Sequence, residues 1–133
     1  MKVRSGYVSN SSSSSFLISY KEGAGEILKS ANGTEINYSV EALLGEIRGR
    51  YEIHSDSTML EAEGTASVLD YIQDNYCDDT VKEMKEFIDK YPNENKALLQ
   101  IEYGDKFIKK MLLNLIHMGL VHVWADEYDL RDE

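Results

Sequence analysis

The side chains with the clearest chemical potential open the chain. Arg4-Ser5-Gly6-Tyr7-Val8-Ser9-Asn10 runs into consecutive serines, Ser11 to Ser15, and then Phe16. Ser and Asn side chains bond to nearby backbone and favour turns. Successive N–H groups in such a turn form a concave nest for an anion, with Arg4 as the countercharge. Arg4, Ser9, Asn10, Ser11 and Ser12 are therefore the candidate ligand-binding set, for a phosphate or a carboxylate, and the function they would serve is that of a nucleotide-binding or nucleotide-modifying protein. No Gly-x-x-x-x-Gly-Lys-Ser/Thr or Gly-x-Gly-x-x-Gly pattern accompanies them. The competing expectation is a solvated tether, because serine-rich segments bury too little apolar surface to offset the entropy of ordering. Against a tether, Tyr7-Val8 and Phe16-Leu17-Ile18 could anchor both ends of the run in a core.

Other reactive side chains are scattered. His54-Ser55-Asp56-Ser57 places an imidazole, hydroxyls and a carboxylate in one loop, but a nucleophilic triad needs a base touching the hydroxyl and an acid orienting that base. Neighbours in sequence rarely reach that geometry, so a polar turn is expected. His122 and Asp126 share one face of a predicted strand around Trp124; four residues of strand rise about 13 Å, too far for one zinc with ligands at about 2 Å. His117 sits where a helix C-terminus favours an imidazolium. Asp78-Asp79 reads as a helix cap before it reads as a cation site. Cys77 is the single cysteine, so neither a disulfide framework nor a cysteine zinc site can form within one chain. These residues imply no cofactor and no metal, and they favour a binding protein over an enzyme. Nine tyrosines add mild support, since Tyr is enriched at interface hot spots.

The opening string itself, Arg4-x-Gly6-Tyr7-Val8-Ser9-Asn10 followed by Ser11 to Ser15 and Phe16, resembles the N-terminal signature of small proteins from tailed phages and bacterial genomes. The match covers about a tenth of the chain and brings no assigned chemistry with it. The resemblance implies a mobile-element setting and a small accessory role.

Charge narrows the partners. The net charge is −10, with nine acids against six bases up to Ala66 and fifteen against eight from Ser67 onward. A surface this acidic repels phosphate backbones, so no direct nucleic-acid contact is expected. It either serves solubility or docks on a protein with a basic surface, such as a host-defence or nucleic-acid enzyme at the groove that holds DNA or RNA. Asp70, Asp74, Asp78 and Asp79 are the candidate partner-binding residues for that docking. A virion or assembly component is a third expectation. Lys2 and Arg4 lead into serines and not an apolar segment, so no secretory signal is expected, and the lone cysteine suits a reducing cytoplasm. The most apolar window, Phe107 to Trp124, is interrupted by Lys109, Lys110, Asn114 and His117 and is too polar to span a bilayer.

Periodicity supplies the elements that would position these residues. Phe16 to Tyr20 reads as a strand, Lys21 to Gly25 as a turn, and Glu26 to Ala31 as a short helical piece closed by Asn32-Gly33. Thr34 to Tyr38 reads as a strand, followed by a helix capped by Ser39 that ends near Arg48-Gly49, and a brief strand over Tyr51 to His54. Met59 to Glu63 reads as a further strand or an irregular edge. Helices follow, first with Val68, Leu69, Ile72 and Tyr76 on one face, then with Val81, Met84, Phe87, Ile88 and Tyr91, the second closed by Pro92. Ala97 to Tyr103 reads as a strand. Asp105 caps a helix whose stripe is Phe107, Ile108, Met111, Leu112, Leu115 and Ile116, stopped at Gly119. Val121 to Ala125 is the last strand, with Leu120, Val121, Val123 and Ala125 expected to be buried. The expectation is one α+β domain over 1–133, a small mixed sheet with helices on one face, ending in a strand-helix-strand unit. Residues 1–15 form the Ser-rich segment and 126–133 an acidic tail.

Overall fold

Strand β1 (Ser13–Tyr20) is the strand on which the fold is built. The structure, a computed structural model, describes residues 13–54 and 58–125, with 51–54 as backbone only. Every residue of β1 is buried. It pairs antiparallel with β5 (Asn95–Glu102) on one side and with β6 (His122–Ala125) on the other. β4 (Met59–Glu63) adds antiparallel to the outer edge of β5, giving the order β4-β5-β1-β6. The α+β class and the C-terminal strand-helix-strand unit are as expected. The sheet differs in being antiparallel throughout and not mixed. β5 and β6 do run the same way, but β1 lies between them.

Side-chain alternation in β1 and β5 then decides the layers. Phe16, Ile18 and Tyr20 share a core with Ala97, Leu99 and Ile101, and with Val40, Leu43, Leu44 and Ile47 of α1 (Val40–His54) and Ile108, Leu112 and Leu115 of α4 (Lys106–His117). Leu17 and Leu98 point the other way, into a second core with Val68, Ile72 and Tyr76 at α2 (Thr65–Asn75) and Val81, Met84 and Ile88 of α3 (Asp78–Lys90). Helices therefore cover both faces, correcting the single covered face read from sequence. A strand apolar on both sides, Phe16-Leu17-Ile18, is what such a three-layer arrangement requires.

Three local readings also change. Gly25–Lys29 forms strand β2 and not a helical piece, because it pairs antiparallel with β3 (Glu35–Ser39) across the Asn32-Gly33 turn. Gly33 sits at φ 89° there, the left-handed geometry of a three-residue hairpin loop. The helix after Ser39 runs on to His54, through Gly45 and Gly49, with no strand at Tyr51 to His54. Packing of Val40, Leu43, Leu44 and Ile47 outweighs about 1 kcal/mol of propensity lost per glycine. Leu120, Val123 and Ala125 are half-buried, and Val121 alone is fully inside.

The capping chemistry is local and holds. Ser39 Oγ accepts from the N–H of Ala42 at 3.0 Å, and Asp105 Oδ1 from the N–H of Ile108 at 3.3 Å. Asp105 also receives Arg50 Nε at 2.8 Å, so one carboxylate both starts α4 and ties it to α1. No helix among the described residues is long and apolar enough to cross a membrane.

Candidate functional site

The four predicted partner-binding carboxylates are all exposed. Asp70 and Asp74 lie one turn apart on the outer stripe of α2, opposite the buried Val68 and Ile72. Asp78 and Asp79 stand in the first turn of α3; Cys77 occupies the cap position, so the expected Asp cap is corrected to a first-turn charge. The four share the α2–α3 side of the sheet. From Thr65 to Val81 the sequence holds no Lys or Arg, and neither Asp70 nor Asp74 has an ion-pair partner among the described residues. Carboxylates favour a helix N-terminus and oppose a C-terminus. Asp78 and Asp79 obey that rule. Asp74 breaks it: α2 has no acid in its first turn and no base in its last, yet Asp74 sits next to its final residue.

The predicted ligand-binding residues Arg4, Ser9, Asn10, Ser11 and Ser12 lie outside the described residues. The end of the same serine run does not form a loop. Ser13, Ser14 and Ser15 belong to β1 and are buried. Ser15 Oγ accepts from the hydroxyl of Tyr76 at 2.9 Å, across the α2–α3 core. Ser13 and Ser14 pair in register with Glu102 and Ile101. Three of the serines are thus spent on the sheet and cannot cradle an anion as an exposed loop. Ser55, Asp56 and Ser57, like Asp126, also lie outside the described residues, and His54 closes α1. His117 ends α4 and is exposed.

One polar cluster went unseen in the sequence, and it lies at the α3–β5 loop. Lys96 is 1% exposed, and its ammonium donates to the carbonyls of Tyr91 at 2.6 Å and Glu94 at 2.7 Å. Burial pulls the Lys96 pKa below its ordinary value, opposed by the Glu94 carboxylate. Glu94 Oε1 accepts from the buried Ser19 hydroxyl at 2.7 Å, while its other oxygen lies 3.8 Å from His122 Nε2. The imidazole stacks on Tyr91, ring centroids 3.9 Å apart. Ser, Glu and His meet here, but in the wrong order for nucleophilic catalysis: the hydroxyl donates to the carboxylate, and Ser19 has no accessible surface. The cluster pins the loop to β1 and β6. Parity was the signal that could have found it, since Lys96 shares its strand face with Leu98.

On the other side of the sheet, β3 and α4 enclose an apolar groove of about 570 Å³. Ile36, Asn37, Tyr38 and Ser39 form one wall. Lys106, Phe107, Lys110, Met111 and Asn114 line the other. Phe107, read from sequence as part of the core stripe, is 56% exposed here. Among the described residues no three His, Cys, Asp or Glu side chains come together to hold a metal. No known protein family, curated protein or solved structure matches this chain.

Proposed function

We propose that this chain is a small acidic accessory protein that binds a protein partner through the α2–α3 side. Asp70, Asp74, Asp78 and Asp79 contact a cationic surface on that partner. In the setting implied by the opening signature, the partner is a host-defence or nucleic-acid enzyme in the cytoplasm, and occupying its basic groove inhibits it. The chain itself makes no nucleic-acid contact, since its charge opposes a phosphate backbone.

The observation that carries this reading is Asp74. A carboxylate in the last turn of α2, one turn from the like charge of Asp70, costs the helix stability on both counts. Charge kept where it weakens its own helix suits a role outside the fold. The test is capture of partners by the intact chain and by a variant with the four aspartates changed to asparagine, at low and high salt. A partner held by the native chain, released by salt and lost in the variant, is expected. A partner held equally by both proteins at both salts sinks the proposal.

A further inference from the structure

The groove between β3 and α4 points to a second binding mode that owes nothing to the acidic side. Among the described residues the β2–β3 ladder has only two strands, so β3 has one edge with no described strand beside it. Ser30 N–H donates to the Thr34 carbonyl, and Val40 N–H to the Ala24 carbonyl. Bonded pairs alternate along an antiparallel ladder, and the register pairs Leu28 with Ile36 and Glu26 with Tyr38. Ile36 and Tyr38 therefore turn their backbone groups to β2, while Asn37 turns its N–H and C=O outward. That edge faces the groove, which consecutive β3 residues line, as they do where a strand presents its edge and not its face.

The opposite wall supplies the rest of the chemistry. Phe107 and Met111 offer apolar surface, with Ile36 facing them at 45% exposure. Lys106 and Lys110 stand one helical turn apart, both exposed, and neither is ion-paired to a described residue. Unpaired lysines beside exposed apolar side chains are unexpected on a chain of net charge −10. Edge, apolar floor and paired ammonium groups together match one occupant. An extended backbone satisfies Asn37, alternate side chains of a strand reach the floor, and carboxylates between them meet the lysines.

We propose that β3 accepts, along this free edge, an extended segment of a partner protein in which apolar and acidic residues alternate. A long-chain carboxylate would meet Lys106 and Met111 but leave the Asn37 backbone unused. The acidic α2–α3 side lies across the sheet, so either proposal can fail without the other.

The test uses the full chain and two short synthetic peptides, one alternating Val and Glu, the other alternating Val and Lys. The Glu peptide is expected to bind and the Lys peptide not. Amide exchange at Asn37 is expected to slow by roughly tenfold or more as its N–H gains a partner. Lys106→Glu with Lys110→Glu should reverse the choice of peptide; the carboxylate at position 106 suits the first turn of α4 and offsets the few tenths lost to the like-charge pair it forms with position 110, and a retained thermal transition checks the fold. Asn37→Pro removes the outward donor and leaves the β2 ladder intact; it should weaken the Glu peptide with no loss of the thermal transition. Failure of the Glu peptide to bind at millimolar concentration overturns the proposal. So does binding that leaves Asn37 exchange unchanged, which means docking on α4 alone. Dodecanoate binding in place of the peptide, or a dimer in which Asn37 is already protected, overturns it in favour of a lipid-like ligand or a second copy.

Discussion

Asp74 is the residue at which stability and the proposed binding role pull in opposite directions, so Asp74→Lys separates them. The carboxylate lies beside the last residue of α2, which carries no base in its final turn. A charge opposed to the helix dipole is worth about 0.3–1 kcal/mol at an exposed site. The Asp70–Asp74 repulsion, replaced by an Asp70–Lys attraction at the same spacing, adds a few tenths. Asp74→Lys should therefore stabilise the fold by about 0.5–1.5 kcal/mol, raising the melting temperature by roughly 2–6 °C for a chain of this size. Urea denaturation followed by circular dichroism measures this. The gain should shrink in high salt, because both contributions are between exposed charges and are screened. The same substitution should weaken capture of a cationic partner. A variant that keeps its helix content but gains no stability at either salt would refute the reasoning. It would mean that Asp74 is neutralised within its own chain, and the charge would no longer need an external purpose.

Three further outcomes follow from contacts within the fold. Asp105→Ala removes the α4 cap and the closer of two carboxylates on the part-buried Arg50, leaving it Glu46 at 3.6 Å; the loss should be roughly 2 kcal/mol in urea denaturation, of which the cap alone is about 1. Lys96→Ala empties a buried site, takes the ammonium from the Glu94 carbonyl and leaves the Tyr91 carbonyl only the Glu94 N–H, so the same measurement should show a loss on the order of 3 kcal/mol, with Lys96→Met, which keeps the stem, losing less. Burial first, then Glu63, Glu41 and Glu22, holds the Tyr20 pKa above its ordinary value. The folded chain keeps this proton at a pH where the unfolded chain has released it, so that contribution is whole below about pH 10 and lost as pH rises through the folded value. Tyr20→Phe should accordingly lose less stability than the native chain between about pH 9 and pH 11 in urea midpoints.

What was legible in the sequence was what is decided locally. Ser39, Asp105 and Gly119 mark helix ends because cap chemistry acts within one turn. α2, α3 and α4 show their apolar period, and Ala97 to Tyr103 its strand character. What was not legible depends on which residues meet across long separations. Serines have little reason of their own to enter a core strand; Ser15 does so because Tyr76, 61 residues away, donates to it, and because β5 takes β1 as its neighbour. Ile27 and Leu28 have no strand alternation strong enough to exclude a helix until Ile36 and Asn37 pair with them. The groove is the extreme case. Its walls come from Ile36–Ser39 and from Lys106 onward, and in one dimension Phe107 is simply the first member of an apolar stripe.

The position of β1 explains how opposite chemistries coexist on so small a chain. First in the described sequence and inside the sheet, it has apolar side chains on both faces and obliges helices to cover each. The helix pair α2–α3 carries the run without a base. α4, on the other face, carries Lys106, Lys109 and Lys110. With a sheet between them the two exposed sets are kept apart by distance and screened by water and salt, so charge changes on one side should add to those on the other with little coupling. A net charge of −10 sets the field that a distant partner meets, but contact surfaces depart from it: the side bearing Asp70 and Asp74 is more acidic than the average, and the groove at Lys106 and Lys110 is locally cationic. Partners selected by local chemistry would differ accordingly, a basic surface for one and an acidic strand for the other, and both could be held at once.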